Sequence, residues 1–373
     1  MRVLHLELHA FRNYAALRFE PPEGACVLVG PNAQGKSNLL EALALLATGK
    51  SFRTSREADL IMSGLPAASV SARVRGRGGD VDVRCLITRS GDGARKRFFR
   101  GGRAVRYADF LGGVRAVTFM PFDLQLVGGP ASLRRRMLNT TLAQSDRRYY
   151  RDLASYTNTI AQKNALLRSQ RVDRALLATY DDQVAVTGSR IVARRNAYVR
   201  ALSDEAAAAQ ARWVGARPSL RIAYRAEPAV LDEAESAIEA GLRVALAKMA
   251  AAESARRTSL VGPHRDDVVF LLDDEPLSRF GSQGQQRTAV LAVKSAEYAL
   301  LSRASGEAPL LLLDDVLSEL DAGRRAAFLE SIGSYDQAFM TATDRPDLPP
   351  GLLASVLAVR DGQVLPLEEP ART

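Results

Sequence analysis

The eight residues GPNAQGKS, Gly30 to Ser37, constrain this chain more than any other stretch. They fit the pattern G-x-x-x-x-G-K-[ST], and their surroundings fit as well. A short apolar run, ACVLV at 25–29, leads into them, and leucines and alanines at helical spacing follow from about Lys36 to Thr48. The segment therefore reads as strand, glycine-rich loop and helix, with Gly49 as the helix C-terminal cap. Glycines let the backbone wrap closely around an anion. Successive N–H groups and the positive end of the helix then face it. In such a loop Lys36 reaches the β- and γ-phosphates of a nucleotide and the Ser37 hydroxyl ligates Mg²⁺. The candidate ATP-binding set is Gly30, Pro31, Asn32, Ala33, Gln34, Gly35, Lys36, Ser37 and Asn38.

Two further motifs give the loop chemical partners. Four leucines at 310–313 end in Asp314 and Asp315. A strand this apolar belongs inside a parallel sheet and delivers its carboxylates at the C-terminal edge, where ligands sit. Asp314 is the expected Mg²⁺-side carboxylate, acting through water. Asp315 is the residue expected to orient or polarise the attacking water, so Lys36 and Asp315 are the candidate catalytic pair. The third motif is Ser282-Gln283-Gly284-Gln285-Gln286-Arg287, directly ahead of a helical run. It resembles the signature of ATP-binding cassettes. A Ser and a Gly at a helix start make an anion site, and the resemblance implies that Ser282, Gly284 and Gln285 face the γ-phosphate held by a second copy. ATP would then join two chains and hydrolysis would part them. Asp321 matches, by the same resemblance, a second contact across that dimer.

The motifs lie at opposite ends of the chain. Between them the texture changes after Pro121. Ala-, Arg- and Leu-rich segments predict one long helix from Ser132 to about Arg168 and another from Arg174 to about Arg212, joined by a polar turn near 169–173. A strand at 219–226 and a helix at roughly 229–253 follow. The expected architecture is α/β: an ATP-binding-cassette (ABC)-type phosphate-loop ATPase domain built from 1–120 and 255–373, with a mainly helical lobe inserted at 121–254.

The net charge is +9, and between Ser71 and Arg106 stand eleven Lys/Arg against three Asp/Glu. Such local excess predicts a surface facing phosphates. The candidates are Arg73, Arg75, Arg77, Arg95, Lys96, Arg97 and Arg100, with Arg135 from the consecutive trio Arg134, Arg135 and Arg136, which cannot all face one way on a helix. No zinc finger or other base-reading motif is visible, so binding is expected to follow the nucleic-acid backbone with little sequence preference. Cys26 and Cys85 sit in apolar runs and read as buried thiols of a reducing compartment. The first residues lack the apolar core of a signal peptide, and no apolar run approaches the ~20 residues that span a bilayer. The expectation is a soluble cytoplasmic protein with no membrane partner. His264 reads as a structural hydrogen-bonding residue, and the three histidines, His5, His9 and His264, give no pair at zinc-ligand spacing.

Several blocks together resemble one family along nearly the whole chain: Phe11-Arg12-Asn13-Tyr14, GPNAQGKSNLLEAL, SLRRRMLN at 132–139, VGPHRDD at 261–267, SQGQQR at 282–287 and LLLLDDVLSELD at 310–321. Their combination is similar to the RecF family of ABC/SMC-like ATPases. The resemblance implies a protein of recombinational repair, replication and the SOS response to DNA damage. It implies ATP-dependent dimers on double-stranded DNA or single-strand/double-strand junctions at gaps, and RecO and RecR as partners in loading the RecA recombinase. It implies a weak ATPase that serves as a switch, with ATP and Mg²⁺ as cofactors and DNA as stimulant. Thr343 stands near the position where many cassette ATPases carry a His, which predicts slow hydrolysis. Phe122 replaces an acidic residue common in the family before Asp123. The competing readings are another SMC-like repair ATPase, a transporter's nucleotide-binding subunit, a DNA scaffold that binds ATP without hydrolysing it, and a nuclease fusion, for which too little sequence follows Asp321.

Overall fold

The computed structural model describes residues 1–215, 218–227, 234–316, 320, 322–331, 335–345 and 354–367. From the N-terminus come β1 (Arg2–Phe11), β2 (Tyr14–Phe19), β3 (Gly24–Val29), α1 (Lys36–Thr48), β4 (Ala67–Gly76), β5 (Gly79–Ser90), β6 (Gly93–Arg100), β7 (Arg103–Val105), α2 (Tyr107–Phe110) and β8 (Ala116–Phe119). The middle of the chain supplies α3 (Ala131–Ser145), α4 (Arg147–Arg168), α5 (Arg174–Val214), β9 (Leu220–Arg225), α6 (Glu235–Arg256), β10 (Asp267–Leu272), β11 (Glu275–Pro276) and α7 (Leu277–Phe280). The remainder is α8 (Gln283–Ser305), β12 (Leu310–Asp314), α9 (Ala322–Ser331), β13 (Gln337–Ala342), β14 (Ala354–Arg360) and β15 (Gln363–Pro366).

The chain forms two compact units, one of residues 1–123 and 297–373 and one of 124–296. In the first, the strands described build two sheets. One is antiparallel in the order β2-β1-β4-β5-β6-β7; the other runs β15-β14-β3-β13-β12-β8. Within the second sheet β3, β8, β12, β13 and β14 are parallel and only β15 is antiparallel. The loop strand β3 and the acidic strand β12 thus flank β13, and their C-terminal ends open on the same edge of the sheet.

Helix α1 explains how two sheets become one unit. Leu39, Leu40 and every residue from Ala42 to Ala47 are buried. They pack in one core with Leu6, Leu8, Val70 and Ile87 of the antiparallel sheet and with Cys26, Leu28, Leu312 and Phe339 of the parallel one. A helix that is apolar all round has to be enclosed on all sides. Its bounds, Lys36 to Thr48, and its left-handed Gly49 cap are those expected from sequence.

The second unit departs from expectation in two places. The helix expected over Ser132–Arg168 is two helices, because Asp146 takes extended backbone and its carboxylate accepts from the N–H groups of Arg148 (2.7 Å) and Tyr149 (3.1 Å). An N-cap aspartate starts a new helix at that point. The second departure concerns the far boundary, which falls at 296/297 instead of 254/255. VVFLL at 268–272 does not join the parallel sheet; β10 pairs with β9 and β11 in a small antiparallel sheet.

The VGPHRDD segment also lies in this second unit. Its Pro263 carbonyl accepts from Nη1 of Arg195 at 2.6 Å. Arg195 is buried, and its guanidinium also donates to Tyr149 Oη (3.0 Å), Asn139 Oδ1 (2.8 Å) and Tyr224 Oη (3.4 Å). His264 exchanges a hydrogen bond with Tyr156 Oη at 2.6 Å, and burial pushes its pKa down to about 4. It is neutral at pH 7 and structural, with no catalytic partner on that ring nitrogen.

An ion cluster built on the fully buried Lys163 links three helices. Lys163 of α4 meets Glu253 of α6 at 2.6 Å and Asp181 of α5 at 2.5 Å. Removing the lysine strands the buried Glu253 carboxylate, which is costlier than never having had the pair. Lys163→Ala is expected to lower the unfolding free energy by about 3 kcal/mol, read from urea denaturation; a loss below 1 kcal/mol would show that water reaches the cluster. No helix among the described residues is long and apolar enough to cross a membrane.

Candidate nucleotide-binding site

The loop between β3 and α1 is shaped by what surrounds it. Gly30 has φ 148°, and a Cβ there would lie 2.5 Å from the Val359 carbonyl of β14. Gly35 has φ 117°, and a Cβ would lie 2.8 Å from both Asn13 Nδ2 and Tyr14 Oη. Both positions therefore need glycine for backbone conformation and for space. Because Gly35 is the N-cap of α1, no side chain caps that helix. Its first N–H groups and its positive dipole end are left for an anion.

Two hairpins brace the loop. In the β1–β2 turn, Asn13 Nδ2 donates to the Gln34 carbonyl (3.0 Å), Asn13 Oδ1 accepts from Asn38 Nδ2 (2.7 Å), and Tyr14 Oη donates to the Gly35 carbonyl (3.0 Å). Arg12, beside them, grips the buried Glu41 of α1 with Nε and Nη2 at 2.8 and 2.7 Å. In the β14–β15 turn, the Asp361 N–H donates to Gln34 Oε1 (2.7 Å) and the Gly362 N–H to the Gln34 carbonyl (3.3 Å). Sequence gave FRNY no role in the site. Its spacing from the loop carries no local signal, since the contact joins a hairpin of one sheet to a loop that follows a strand of the other.

Lys36 is 8% exposed and folds back on its own loop, donating to the Gly30 carbonyl and, at 2.8 Å, to that of Pro31. Burial lowers its pKa, while the carboxylates of Asp315, Asp314 and Asp344 oppose the shift. The acidic residues Asp314 and Asp315 thus act electrostatically on Lys36, and Asp344, which sequence reasoning missed, acts with them. Ser37 Oγ donates to Asp314 Oδ1 at 2.7 Å. Thr341 Oγ1 of β13 donates to the same oxygen at 2.8 Å and accepts the Asp315 N–H at 2.9 Å. Asp315 takes a left-handed φ of 53°, which turns the chain off the strand. Thr343 is exposed at the end of β13, and Asp321 lies outside the described residues.

A hydroxyl and a carboxylate side by side form an oxygen donor pair of the sort a hard divalent cation uses when phosphate oxygens supply the rest of its shell. No group of three or more His, Cys, Asp or Glu among the described residues forms a self-sufficient metal site.

The serine-headed motif belongs to the second unit. Ser282 Oγ accepts from the Gln285 N–H (3.2 Å), and Gln285 Oε1 accepts from the Ser282 N–H (2.8 Å). This reciprocal capping box fixes the start of α8. Ser282, Gln283 and Gln285 are exposed, as is Phe280 just before them, with the Arg279 guanidinium 5.3 Å from its ring.

The basic residues are distributed differently from the single patch expected. Strand alternation splits them between two faces. Lys96 turns inward, donating to the Gly49 carbonyl and pairing with Glu57, both at 2.6 Å, and Arg100 reaches the Asp109 carbonyl at 3.3 Å. On the outer face Arg73 and Arg75 stand opposite Asp82 and Asp80 and pair with them at 2.8 and 2.7 Å. Arg77 is exposed in the β4–β5 turn, where its N–H meets Glu307 at 2.8 Å. Arg95 and Arg97 are exposed, and Arg84, which sequence reasoning passed over, lies 4.4 Å from the ring centroid of Phe99. In the other unit Arg134 is buried against Asp267 (2.7 Å), Arg135 is half-buried with its Nη1 on the Asp266 carbonyl (2.7 Å), and Arg136 is exposed.

Gly35→Ala is expected to weaken binding of a fluorescent ATP analogue at least about tenfold, because it adds ~1–3 kcal/mol of backbone strain beside two fixed side chains. Unchanged affinity in a folded variant would mean that the loop does not need its present shape.

Residues 2–348 match the RecF/RecN/SMC N terminal domain family. The chain is 43% identical over 347 residues to the DNA replication and repair protein RecF of Symbiobacterium thermophilum, covering 92% of both chains. It is 41% identical to the RecF of Chloroflexus aurantiacus, covering 98% of this chain and 99% of that one. Among solved structures, the recombination mediator protein RecF-ATP of the RecFOR pathway superposes with a TM-score of 0.89 at 30% identity, covering 98% of this chain and 97% of that chain. The SMC head bound to the C-terminal winged-helix domain of ScpA gives 0.53 at 17% identity, covering 100% of this chain and 98% of that chain, a likeness of fold alone. With a preformed phosphate loop, an acidic strand end beside it and this similarity along nearly its whole length, the chain belongs to the RecF family of DNA replication and repair proteins, within the ABC-type ATPase fold shared with SMC heads.

Proposed function

We propose that this protein is an ATP-controlled clamp on DNA, working in the cytoplasm in recombinational repair and replication. The observation that carries the reading is the pairing of an anion-ready loop with Ser37 and Asp314 in one unit, while a second helix start, the Ser282-capped end of α8, stands exposed in the other. In an ABC-type dimer, triphosphate held by the loop of one copy is covered by the Ser282 end of its twin.

Within one copy, the N–H groups at the start of α1 and the Lys36 ammonium hold the phosphates. An arriving phosphate takes over the lysine hydrogens now given to the Gly30 and Pro31 carbonyls. Mg²⁺, when bound, supplies positive charge that offsets the phosphate oxygens. Ser37 and Asp314 are the residues that hold it, and Asp315 orients the water for a slow hydrolysis that resets the clamp. DNA at single-strand gaps is the substrate of binding, and RecO and RecR are the partners that the family membership and the RecFOR setting of the solved relatives suggest.

Sedimentation with ATP, ADP or no nucleotide, with and without gapped duplex, tests the clamp. ATP alone should drive the wild type to a dimer, and Ser282→Arg should bind ATP as a monomer. Normal dimerisation of Ser282→Arg would sink the in-trans role. For DNA, the exposed arginines Arg95 and Arg97 are the contacts favoured over Arg73 and Arg75, which carry aspartate partners. Replacing both by Ala should reduce the slope of log affinity against log salt by about two. An unaltered slope moves the DNA surface elsewhere.

A further inference from the structure

We propose that Thr341 is the positioning residue of the acidic pair, one hydroxyl that holds Asp314 in its rotamer and Asp315 in its turn. The inference deepens the nucleotide reading above and rests on it. Strand β13 lies between β3 and β12, with Thr341 opposite Leu28 on one side and Asp314 on the other. Among the described strands β13 is the one that lies between the strand entering the loop and the strand ending in carboxylates, and Thr341 is its residue beside Asp314. The neighbouring β13 residues Phe339 and Met340 are apolar and buried, as a central strand demands; Thr341 is equally buried, at 3% exposure, yet polar.

A buried hydroxyl has to be satisfied, and both of its capacities are used on the acidic pair. Its hydrogen goes to Asp314 Oδ1 and a lone pair takes the Asp315 N–H. Ser37 Oγ donates to the same Asp314 oxygen. Two donors on Oδ1 fix the carboxylate plane. The Ser37 hydroxyl is also the group assigned to the metal, so Thr341 is the donor whose duty does not change when ligand arrives. The second bond anchors a non-glycine residue at a φ of 53°, a conformation that persists only where the surroundings hold it. Thr341 makes no hydrogen bond to residues 30–36, so nucleotide binding in the absence of metal should not depend on it.

Thr341→Val keeps the side-chain shape and removes both bonds; Thr341→Ser keeps the hydroxyl. Binding of a fluorescent ATP analogue is measured without metal and over a Mg²⁺ titration, and hydrolysis is followed in parallel. The expected result for Thr341→Val is unchanged metal-free affinity and a half-saturating Mg²⁺ concentration raised about tenfold or more, the usual effect of losing a partner that orients a metal ligand. In the same variant kcat should fall by at least about tenfold with little change in KM, and Thr341→Ser should restore both. Wild-type Mg²⁺ dependence in the valine variant overturns the proposal, as does a loss that serine fails to rescue. If the valine variant does not fold, Thr341→Ala is carried through the same measurements with the same criteria. A wild type that binds Mg²⁺ and ATP but hydrolyses nothing removes the proposed hydrolytic reset, while the metal titration still decides the role of Thr341.

Discussion

A helix start that no side chain caps is the feature on which the nucleotide site depends. Gly35 stands where most helices place Ser, Thr or Asp, so the first N–H groups of α1 have no internal acceptor. Such an arrangement costs stability unless something else keeps the loop in shape. Here the cost is offset by confinement. Val359 closes in on Gly30, Asn13 and Tyr14 close in on Gly35, and Gln34 is held through its carbonyl and its amide oxygen. The loop is rigid because two hairpins distant in sequence press on it, and its donors stay available because none of those contacts uses them.

The same logic of buried charge held by several partners appears in the second unit. Arg195 spends its guanidinium on two tyrosines, an asparagine and a carbonyl, and Lys163 sits between two carboxylates. Networks of this sort fix one packing of the helices and forbid neighbouring ones, since any slip leaves a buried charge exposed to no partner. They explain why VGPHRDD, read from sequence as part of the nucleotide domain, is a fixture of the helical unit. Its backbone is an acceptor that Arg195 requires.

Charge density along the chain proved a poor guide to charge density on the surface. Of the basic residues between Ser71 and Arg106, Arg95, Lys96 and Arg97 are consecutive, and in a strand consecutive residues point to opposite faces. Lys96 and Arg100 end up inside, tied to backbone carbonyls, and Arg73 and Arg75 acquire aspartate partners from the adjacent strand. Cross-strand pairing is set by register, and register is not visible in a composition count.

What the sequence determined by itself is local. The bounds of α1, the glycines at 30 and 35, the apolar strand ending at Asp314 and the serine-headed start of α8 follow from periodicity, propensity and motif spacing, because each is decided by neighbours within about ten residues along the chain. Tertiary structure alone decided which distant residues serve them: Asn13 and Gly362 behind the loop, Thr341 between the strands, Asp344 near Lys36, and the partition of β10 from the parallel sheet. Those assignments depend on strand order and register, which are fixed by the burial of whole faces against one another. A single hydroxyl in an apolar strand acquires meaning only when the strands on either side of it are known.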